Sequence, residues 1–348
     1  MKNYLLVLVL VLSACSRQND FILPTTEDRI SNIVTQYRTF GTLDDVSVIW
    51  IDPDEVLSLH FGQSNDSSLY SLSDVSHLFT VLLYAGLLDQ GRLSERDSLE
   101  AYWPTQVPDV GETNIELRHL ASHTSALLES FDNTRLSLDE TATLYANATV
   151  EDLFAFVSSQ RLVFQPGTRY LKSQQGMAAL AWVLSQRSGE SYDALLQSRI
   201  ASRLDLLETG QPSGLNANQL ERILPALDPN GRSILQHQYG EWEGMQTVYS
   251  SPRDMRRMME TLLEPFSPLA SELTRITTPQ LGLGQNTFAT YGLLLDDTNS
   301  EGRYYVIGSN HHTTSLQFSP AFGRAVIILS ATANPIDVNA MARQIWAL

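Results

Sequence analysis

The amino-acid sequence predicts an α/β (α+β) fold in which both ends of the chain complete one antiparallel sheet flanked by helices. Strand-like runs lie near the two ends, and a long helical region lies between them. Hydrophobic residues make up 43% of the 348 residues and charged residues 18%, which is typical of an ordered globular protein. We therefore assign residues 27–71 and 245–348 to a sheet domain and residues 72–244 to an inserted, mainly helical domain.

The first residues have the pattern of a targeting segment. Lys2 precedes an apolar run at 4–12 that is too short to span a bilayer as a mature helix. The run ends in Leu12-Ser13-Ala14-Cys15, which resembles the bacterial lipoprotein signal, and Cys15 is the only cysteine of the chain. We interpret residues 1–14 as a signal peptide, Cys15 as the site of lipid attachment and residues 15–26 as a tether. An ordinary cleaved signal is the alternative.

A helix and a strand pair follow the tether. Apolar residues recur at helical spacing over 26–39. Two strand-like runs at 46–51 and 56–61 are joined by Asp52-Pro53-Asp54, which predicts a hairpin.

The next helix carries two titratable groups. Apolar residues recur every three or four positions over 75–87, which predicts a buried helix with Ser73 or Asp74 as its N-cap and Gly91 as its stop. Asp74 and His77 lie three residues apart on the first turn.

The remaining elements alternate between helix and strand. A helix over 175–187 stops at Ser188-Gly189, and long polar connections are expected near 104–114, 129–148 and 208–235. Strands are predicted at 291–295, 303–307, 315–318 and 325–329, the last as a central strand covered on both faces. Asn334-Pro335 begins a terminal helix that reaches Trp346.

The charge balance argues against some partners. The formal net charge is −16, and Lys2 and Lys172 are the only lysines. Such an acidic protein disfavours phosphate backbones and anionic membrane faces, so we expect no nucleic-acid partner. With Ser16 after the cysteine, the expected location is the bacterial cell envelope, lipid-anchored in the outer membrane and facing the periplasm.

Several phrases in a fixed order resemble a known family. The segment 70–91 and the phrase Glu116-Leu117-Arg118-His119-Leu120-Ala121-Ser122-His123-Thr124-Ser125 are similar to the serine β-lactamase and penicillin-binding-protein superfamily. The similarity is greatest to its class C β-lactamase, DD-peptidase and esterase branch. The segments 165–168, 188–189, 203–206 and 250–255 fit further landmarks of that branch. The resemblance implies the β-lactamase/DD-peptidase-like fold.

The chemistry of that family depends on three motifs: S-x-x-K, Y-x-N, and K-T-G or H-x-G. The resemblance puts Asp74 and His77 at the serine and lysine of the first motif, and Lys172 and Gln174 at the tyrosine and asparagine of the second. Beyond residue 2 the only lysine is Lys172, which has Arg169 three residues earlier, so S-x-x-K cannot occur there. The third motif is expected on the strand before Gly308, where 304–307 offers no Lys or His. We predict that all three motifs are degenerate.

Other polar and aromatic residues have alternative explanations. His311 and His312 could bind a metal ion, but no H-x-x-x-H or H-E-x-x-H spacing around them supports a metal site. We therefore expect neither a metal nor a cofactor. His119, His123, Ser122, Thr124 and Ser125 are interpreted as backbone-bonding and capping residues. The aromatic residues Tyr102, Trp103 and Trp242 line a cleft or pack in the core.

These observations predict a catalytically inactive, β-lactamase-related envelope lipoprotein that binds a peptidoglycan-like ligand or a protein partner. The alternative is a hydrolase with rearranged chemistry based on Asp74, His77 and Lys172. In either case we expect Asp74 and Lys172 to face each other as an ion pair, with His77 bonded to Asp74.

Overall fold

The structure is a computed structural model that describes residues 23–39, 43–111, 113–129 and 138–348. The predicted signal peptide, Cys15 and most of the predicted tether lie outside the described residues, as does part of the polar connection at 129–148. Within the described ranges, no helix combines the length and the apolar character needed to cross a bilayer.

One antiparallel sheet of eight strands draws on both ends of the chain. The strand order is β2-β1-β10-β9-β8-β7-β6-β5, and a separate two-stranded ladder pairs β3 with β4. The strands are β1 (Val46–Asp52), β2 (Glu55–Phe61), β3 (Tyr70–Ser71), β4 (Tyr249–Ser250), β5 (Leu281–Gly284), β6 (Thr287–Ala289), β7 (Leu294–Asp296), β8 (Arg303–Ser309), β9 (Thr313–Ser319) and β10 (Arg324–Ser330).

Helices cover both faces of this sheet. The helices are α1 (Thr26–Thr39), α2 (Ser76–Asp89), α3 (Leu117–Ala121), α4 (Leu138–Thr143), α5 (Val150–Ser159), α6 (Gln174–Ser188), α7 (Tyr192–Leu196), α8 (Ser202–Leu204), α9 (Ala217–Leu220), α10 (Pro252–Leu263), α11 (Ala270–Ile276) and α12 (Pro335–Trp346). Short 3₁₀ turns lie at Ser73–Val75, Leu99–Ala101 and Pro212–Gly214, and a π-helical segment at Gln197–Ala201 joins α7 to α8.

The sheet separates two hydrophobic cores. Alternate side chains of β1 point to opposite faces, so Val48 packs with α1 and α12 while Ile49 packs in the core around α2. The larger core contains α2, α6, α10 and most of the helical region, whereas the smaller one is closed by α1 and α12. α1 and α12 therefore cover one face, and the inserted helices together with α10 cover the other.

Most of the predicted elements are confirmed. The helices over 26–39 and 335–346 and the strand pair at 46–61 have the expected positions, and β10 lies buried between β1 and β9. The helix predicted over 175–187 spans Gln174–Ser188 and ends at Gly189, whose φ of 75° is the left-handed conformation that favours glycine.

Two predictions of detail are wrong. Of the strand predicted at 291–295, only the last two residues are extended, as the start of β7; Thr290–Leu293 form the tight turn between β6 and β7, closed by the hydrogen bond from the Thr290 amide to the Leu293 carbonyl. Neither Ser73 nor Asp74 caps α2, because both belong to the 3₁₀ turn that leads directly into it.

Candidate functional site

The 3₁₀ turn before α2 fixes the backbone of Asp74 against the sheet. Ser73 has a φ of 48°, an uncommon conformation for a residue with a side chain. A Cβ built on Gly308 of β8 would overlap the backbone nitrogen of Asp74 and lie 2.7 Å from its Cβ. Gly308 thus allows β8 to approach the turn more closely than any other residue type could.

Asp74 and Lys172 form the predicted ion pair. Lys172 Nζ lies 2.8 Å from Asp74 Oδ2, and the Asp74 side chain is only 1% exposed. Lys172 remains 35% exposed and makes a second ion pair, at 2.9 Å, with Oε1 of Glu129. The three groups carry two negative charges and one positive charge.

The protonation states of this pair are fixed by opposing effects. Burial alone would raise the pKa of Asp74, but the ammonium of Lys172 and the hydrogen bonds it receives hold the pKa below 3.8. Burial would lower the pKa of Lys172, but Asp74 and Glu129 together raise it above 10.5. Both groups are therefore charged at neutral pH: the ammonium of Lys172 cannot accept a proton, and the lowered pKa of Asp74 makes its carboxylate a weak base.

A chain of buried polar groups continues from the other oxygen of Asp74. The Gln246 side-chain amide donates to Asp74 Oδ1, and Gln246 Oε1 accepts from the Tyr239 hydroxyl at 2.7 Å. Asn310 Nδ2 donates to the same hydroxyl at 3.2 Å. Both carboxylate oxygens of Asp74 are thus occupied by donors inside the protein.

His77 lies beside Asp74 but does not bond it, which corrects the prediction. Its Nε2 lies 2.6 Å from the Met245 carbonyl oxygen, so the ring donates its N–H there. Burial lowers the pKa of His77, so the ring is neutral at pH 7. Its Nδ1 is buried without a hydrogen-bond partner among the described residues, and its ring packs 5.2 Å from that of His123. The neutral ring has no second N–H to offer the carboxylate.

Gln174 is the fourth residue placed here by the sequence, and it stands apart. It is the first residue of α6 and is partly exposed. In the described part of the chain its side chain has no hydrogen bond to Asp74, His77 or Lys172. The structure therefore brings Asp74, His77 and Lys172 together but leaves Gln174 at the margin.

Polar side chains of the segment 116–125 form hydrogen bonds with backbone groups, as predicted. His119 Nδ1 accepts from the Glu116 amide at 3.1 Å as part of a capping box, and His123 Nδ1 accepts from the Ser173 amide at 3.2 Å. The hydroxyl of Ser122 donates to the Arg118 carbonyl at 2.7 Å.

Two serines near Asp74 are equally engaged. The Ser73 hydroxyl lies 2.9 Å from both Asn310 Oδ1 and the His312 carbonyl, and the Ser76 hydroxyl accepts from the Val248 amide at 3.2 Å. Both serines are fully buried. Neither hydroxyl has a base beside it that could activate it as a nucleophile.

The paired histidines of the sequence use their ring nitrogens within the protein. His311 Nδ1 accepts from the His237 amide at 2.9 Å, and its Nε2 lies 3.0 Å from the Tyr249 hydroxyl. His312 Nδ1 accepts from the Ser71 amide at 3.0 Å, and its Nε2 donates to the Leu224 carbonyl at 3.0 Å. The part of the chain that the structure describes contains no cluster of three His, Cys, Asp or Glu side chains suited to a metal.

The three aromatic residues left open by the sequence pack rather than line the centre. Trp103 stacks edge-on against Phe154 and Trp182. Trp242 is 1% exposed and donates from Nε1 to the Thr149 carbonyl, while the Tyr102 hydroxyl donates to Asp97.

Sequence reasoning missed Glu129, Gln246, Tyr239 and Asn310. Each lies far along the chain from Asp74 and outside the motifs that the resemblance brings together, so no local pattern marks it. For Gln246 the sequence did contain one signal, because this residue lies four residues before the family-like segment 250–255.

The fold, together with a match to a family profile, defines a member of the β-lactamase family. The family's sequence profile, described as Beta-lactamase, matches residues 30–348, and this chain belongs to that family.

Individual relatives are distant. The D-alanyl-D-alanine-carboxypeptidase/endopeptidase AmpH of Escherichia coli K12 is 26% identical over 255 residues, which cover 69% of this chain and 64% of that protein. The match thus spans less than two thirds of that relative. Among solved structures, a class C β-lactamase has a TM-score of 0.77 at 14% identity, covering 92% of this chain and 96% of that one. A β-lactamase/D-alanine carboxypeptidase from Yersinia pestis complexed with citrate has a TM-score of 0.76 at 20% identity, covering 91% and 97%. At these identities the structures show a shared fold.

Proposed function

We propose that this protein is a catalytically inactive member of the β-lactamase family that binds a ligand or a partner in the cell envelope. The observation that carries the proposal is the buried Asp74 carboxylate, paired with Lys172 where the family resemblance places the nucleophile and the tyrosine. A carboxylate held by two internal donors is a poor acyl nucleophile, and the charged ammonium of Lys172 cannot act as a general base for any other nucleophile.

The ion pair also supports a non-catalytic role through its stability. Separating Asp74 from Lys172 would leave a carboxylate that is 1% exposed without its counter-ion. An incoming acyl group would need to displace that pairing before it could approach the Asp74 carboxylate. The rival function, hydrolysis by Asp74, His77 and Lys172, lacks a group that could accept a proton from water: Asp74 Oδ1 and Oδ2 are both hydrogen-bonded, and His77 Nδ1 is buried.

The envelope location is part of the same proposal. The lipoprotein-like sequence ending at Cys15 supports lipid attachment, and Ser16 supports an outer-membrane protein that faces the periplasm. The ligand class we favour is a peptidoglycan-like fragment, since the AmpH relative is a D-alanyl-D-alanine-carboxypeptidase/endopeptidase. A protein partner in the envelope is the other occupant compatible with an inactive centre.

The test is a direct search for acyl transfer. The full chain, purified from membranes in detergent, is incubated with a fluorescent penicillin, with nitrocefin and with short-chain p-nitrophenyl esters. We expect no covalent mass increase and no hydrolysis above buffer, since nucleophile and base are both missing. A mass increase equal to one acyl group would overturn the proposal, and peptide mapping would then identify the nucleophile. A Lys172→Ala variant is the control, because any turnover that survives it cannot depend on the rearranged set.

A further inference from the structure

A cavity beside the candidate centre has an unusual lining for so acidic a protein. It has a volume of about 410 Å³. No Asp, Glu, Lys or Arg lines it, whereas four other cavities of the described chain each contain at least one such residue. Its walls combine the amides of Gln236 and Gln238 and the hydroxyl of Ser213 with the apolar side chains of Leu220 and Ile223.

Tyr239 connects this cavity to Asp74. A carboxylate only accepts hydrogen bonds, so Gln246 must turn its N–H group toward Asp74 and its oxygen toward Tyr239. The Tyr239 hydroxyl consequently donates its single proton to Gln246 Oε1. The ionised Asp74 thereby fixes the direction of every hydrogen bond as far as the cavity wall.

The same logic assigns the tautomer of His237, which also lines the cavity. Its Nδ1 lies 3.4 Å from the Tyr239 hydroxyl, whose proton is already used and whose oxygen also accepts from Asn310. We assign the ring proton to Nδ1 on this ground, which makes Nε2 an acceptor. This Nε2 is buried and has no hydrogen-bond partner among the described residues, so a ligand hydroxyl reaches it only when the partly exposed His237 ring turns toward the cavity. A buried acceptor without a donor is an unfavourable arrangement that a bound ligand could relieve.

We propose that this cavity binds an uncharged, hydroxyl-bearing sugar, and that His237 Nε2 accepts a hydrogen bond from one of its hydroxyl groups. Amide and hydroxyl groups suit the polar edge of a sugar ring, and Leu220, Ile223 and the ring of Tyr249 suit its C–H face. The absence of charge from the lining removes any preference for an anionic or cationic ligand.

Asp74 thus acts as a positioning residue for binding. Burial lowers the pKa of His237 to about 4, so the ring stays neutral at pH 7 and its acceptor is retained. This inference rests on the proposed function, since it gives the chemistry of the ligand that an inactive member of the family would hold.

One NMR experiment measures both the tautomer of His237 and the binding of a sugar. The detergent-purified full chain is labelled with ¹⁵N-histidine and titrated with N,N′-diacetylchitobiose. We expect His237 to be protonated at Nδ1, and the sugar to shift its Nε2 signal. His237→Phe keeps a ring but loses the acceptor, and should weaken binding about tenfold. His60→Phe, on β2 and paired with Asp66, is the matched control and should leave the affinity unchanged.

Asp74→Asn tests the connection between the two sites. Lys172 will hold the oxygen of the new amide, so its N–H group faces Gln246 and reverses the chain of hydrogen bonds. His237 should then be protonated at Nε2, and the sugar should bind about tenfold more weakly. Thermal unfolding confirms that each variant is folded.

Two results would overturn the inference: no His237 shift at millimolar sugar, or a shift only with a neutral dipeptide amide used in parallel. An Nε2-protonated ring in the unsubstituted protein would contradict the proton assignment. Failure of the proposed function is a separate outcome, because it appears as acyl transfer in the penicillin and nitrocefin assays whatever the sugar does.

Discussion

Replacing Lys172 by methionine should destabilise the folded protein substantially. The substitution keeps the length of the side chain but leaves the Asp74 carboxylate, 1% exposed, with Gln246 as its remaining side-chain donor. Removing one partner of a buried pair costs ~3–5 kcal/mol when the other charge stays buried. We expect a loss near the lower end of that range, since Lys172 is 35% exposed and the pair is partly screened by solvent.

The two partners should respond unequally. Asp74→Leu leaves an ammonium that reaches solvent and retains Glu129 at 2.9 Å, so its cost should be only ~1–2 kcal/mol. The double variant contains no stranded charge, and its cost should be well below the sum of the two single changes. Urea unfolding of the four proteins, followed by circular dichroism, gives the coupling energy of the pair directly.

A coupling energy of ~2–3 kcal/mol is the expected result of the cycle. Losses that add within error would refute the pairing, and so would a larger cost for Asp74→Leu than for Lys172→Met. Either outcome would also weaken the alignment that places these two residues at the former motifs. Arg256→Met is a useful reference, because its ion pair with Glu260 is long, at 3.9 Å, both side chains are partly exposed, and the pair should contribute at most ~0.5 kcal/mol.

Three further outcomes are expected. Because the pKa of Asp74 is lowered in the folded protein, the stability that the pair contributes should be fully present above pH 3.8 and be lost as the pH falls through the folded value. Because the pKa of Lys172 is raised, that stability should persist below pH 10.5 and be lost only as the pH rises further. Urea midpoints of the wild-type protein and the double variant, measured across pH, will show both changes. Gly308→Ala should cost ~1–3 kcal/mol because the added methyl group overlaps the Asp74 backbone, whereas Gly282→Ala, with its nearest neighbour 3.9 Å away, should change the unfolding free energy by less than ~0.5 kcal/mol. Cys15→Ala should abolish palmitate labelling and leave the precursor uncleaved, and persistent labelling would exclude the anchor.

The periodic parts of the fold could be predicted closely from the sequence. α1, α12 and the strand pair at 46–61 show apolar spacing with clear turn or capping residues, and these local signals agree with the tertiary structure. β5 and β6 were not predicted, because both are short, and Gly282 and Gly284 leave β5 without an alternating pattern. The Ser73–Val75 turn escaped prediction because contact with β8, rather than a capping side chain, determines its backbone.

The candidate site could be predicted only where few residues of the required chemical type were available in the sequence. Lys172 could be paired with Asp74 because the chain beyond residue 2 has a single lysine and the family resemblance gave it a neighbour. The bond expected from His77 failed because the Met245 carbonyl competes for its one N–H, and a backbone acceptor 168 residues away leaves no trace in the sequence. Gln246 and Tyr239 were missed for the same reason, since their roles depend on hydrogen bonds to residues that are distant along the chain.

The single lysine at this centre makes the site chemically addressable. Apart from Lys2 in the predicted signal peptide, Lys172 is the only side-chain amine that an acylating reagent such as an N-hydroxysuccinimide ester can modify. Only the neutral amine attacks the carbonyl of such a reagent, and the raised pKa of Lys172 keeps that form scarce. Asp74 therefore protects the lysine it pairs with, and anything that separates the two groups will accelerate its modification. Acylation of the unsubstituted protein, followed by mass spectrometry, can thus report when Lys172 separates from Asp74.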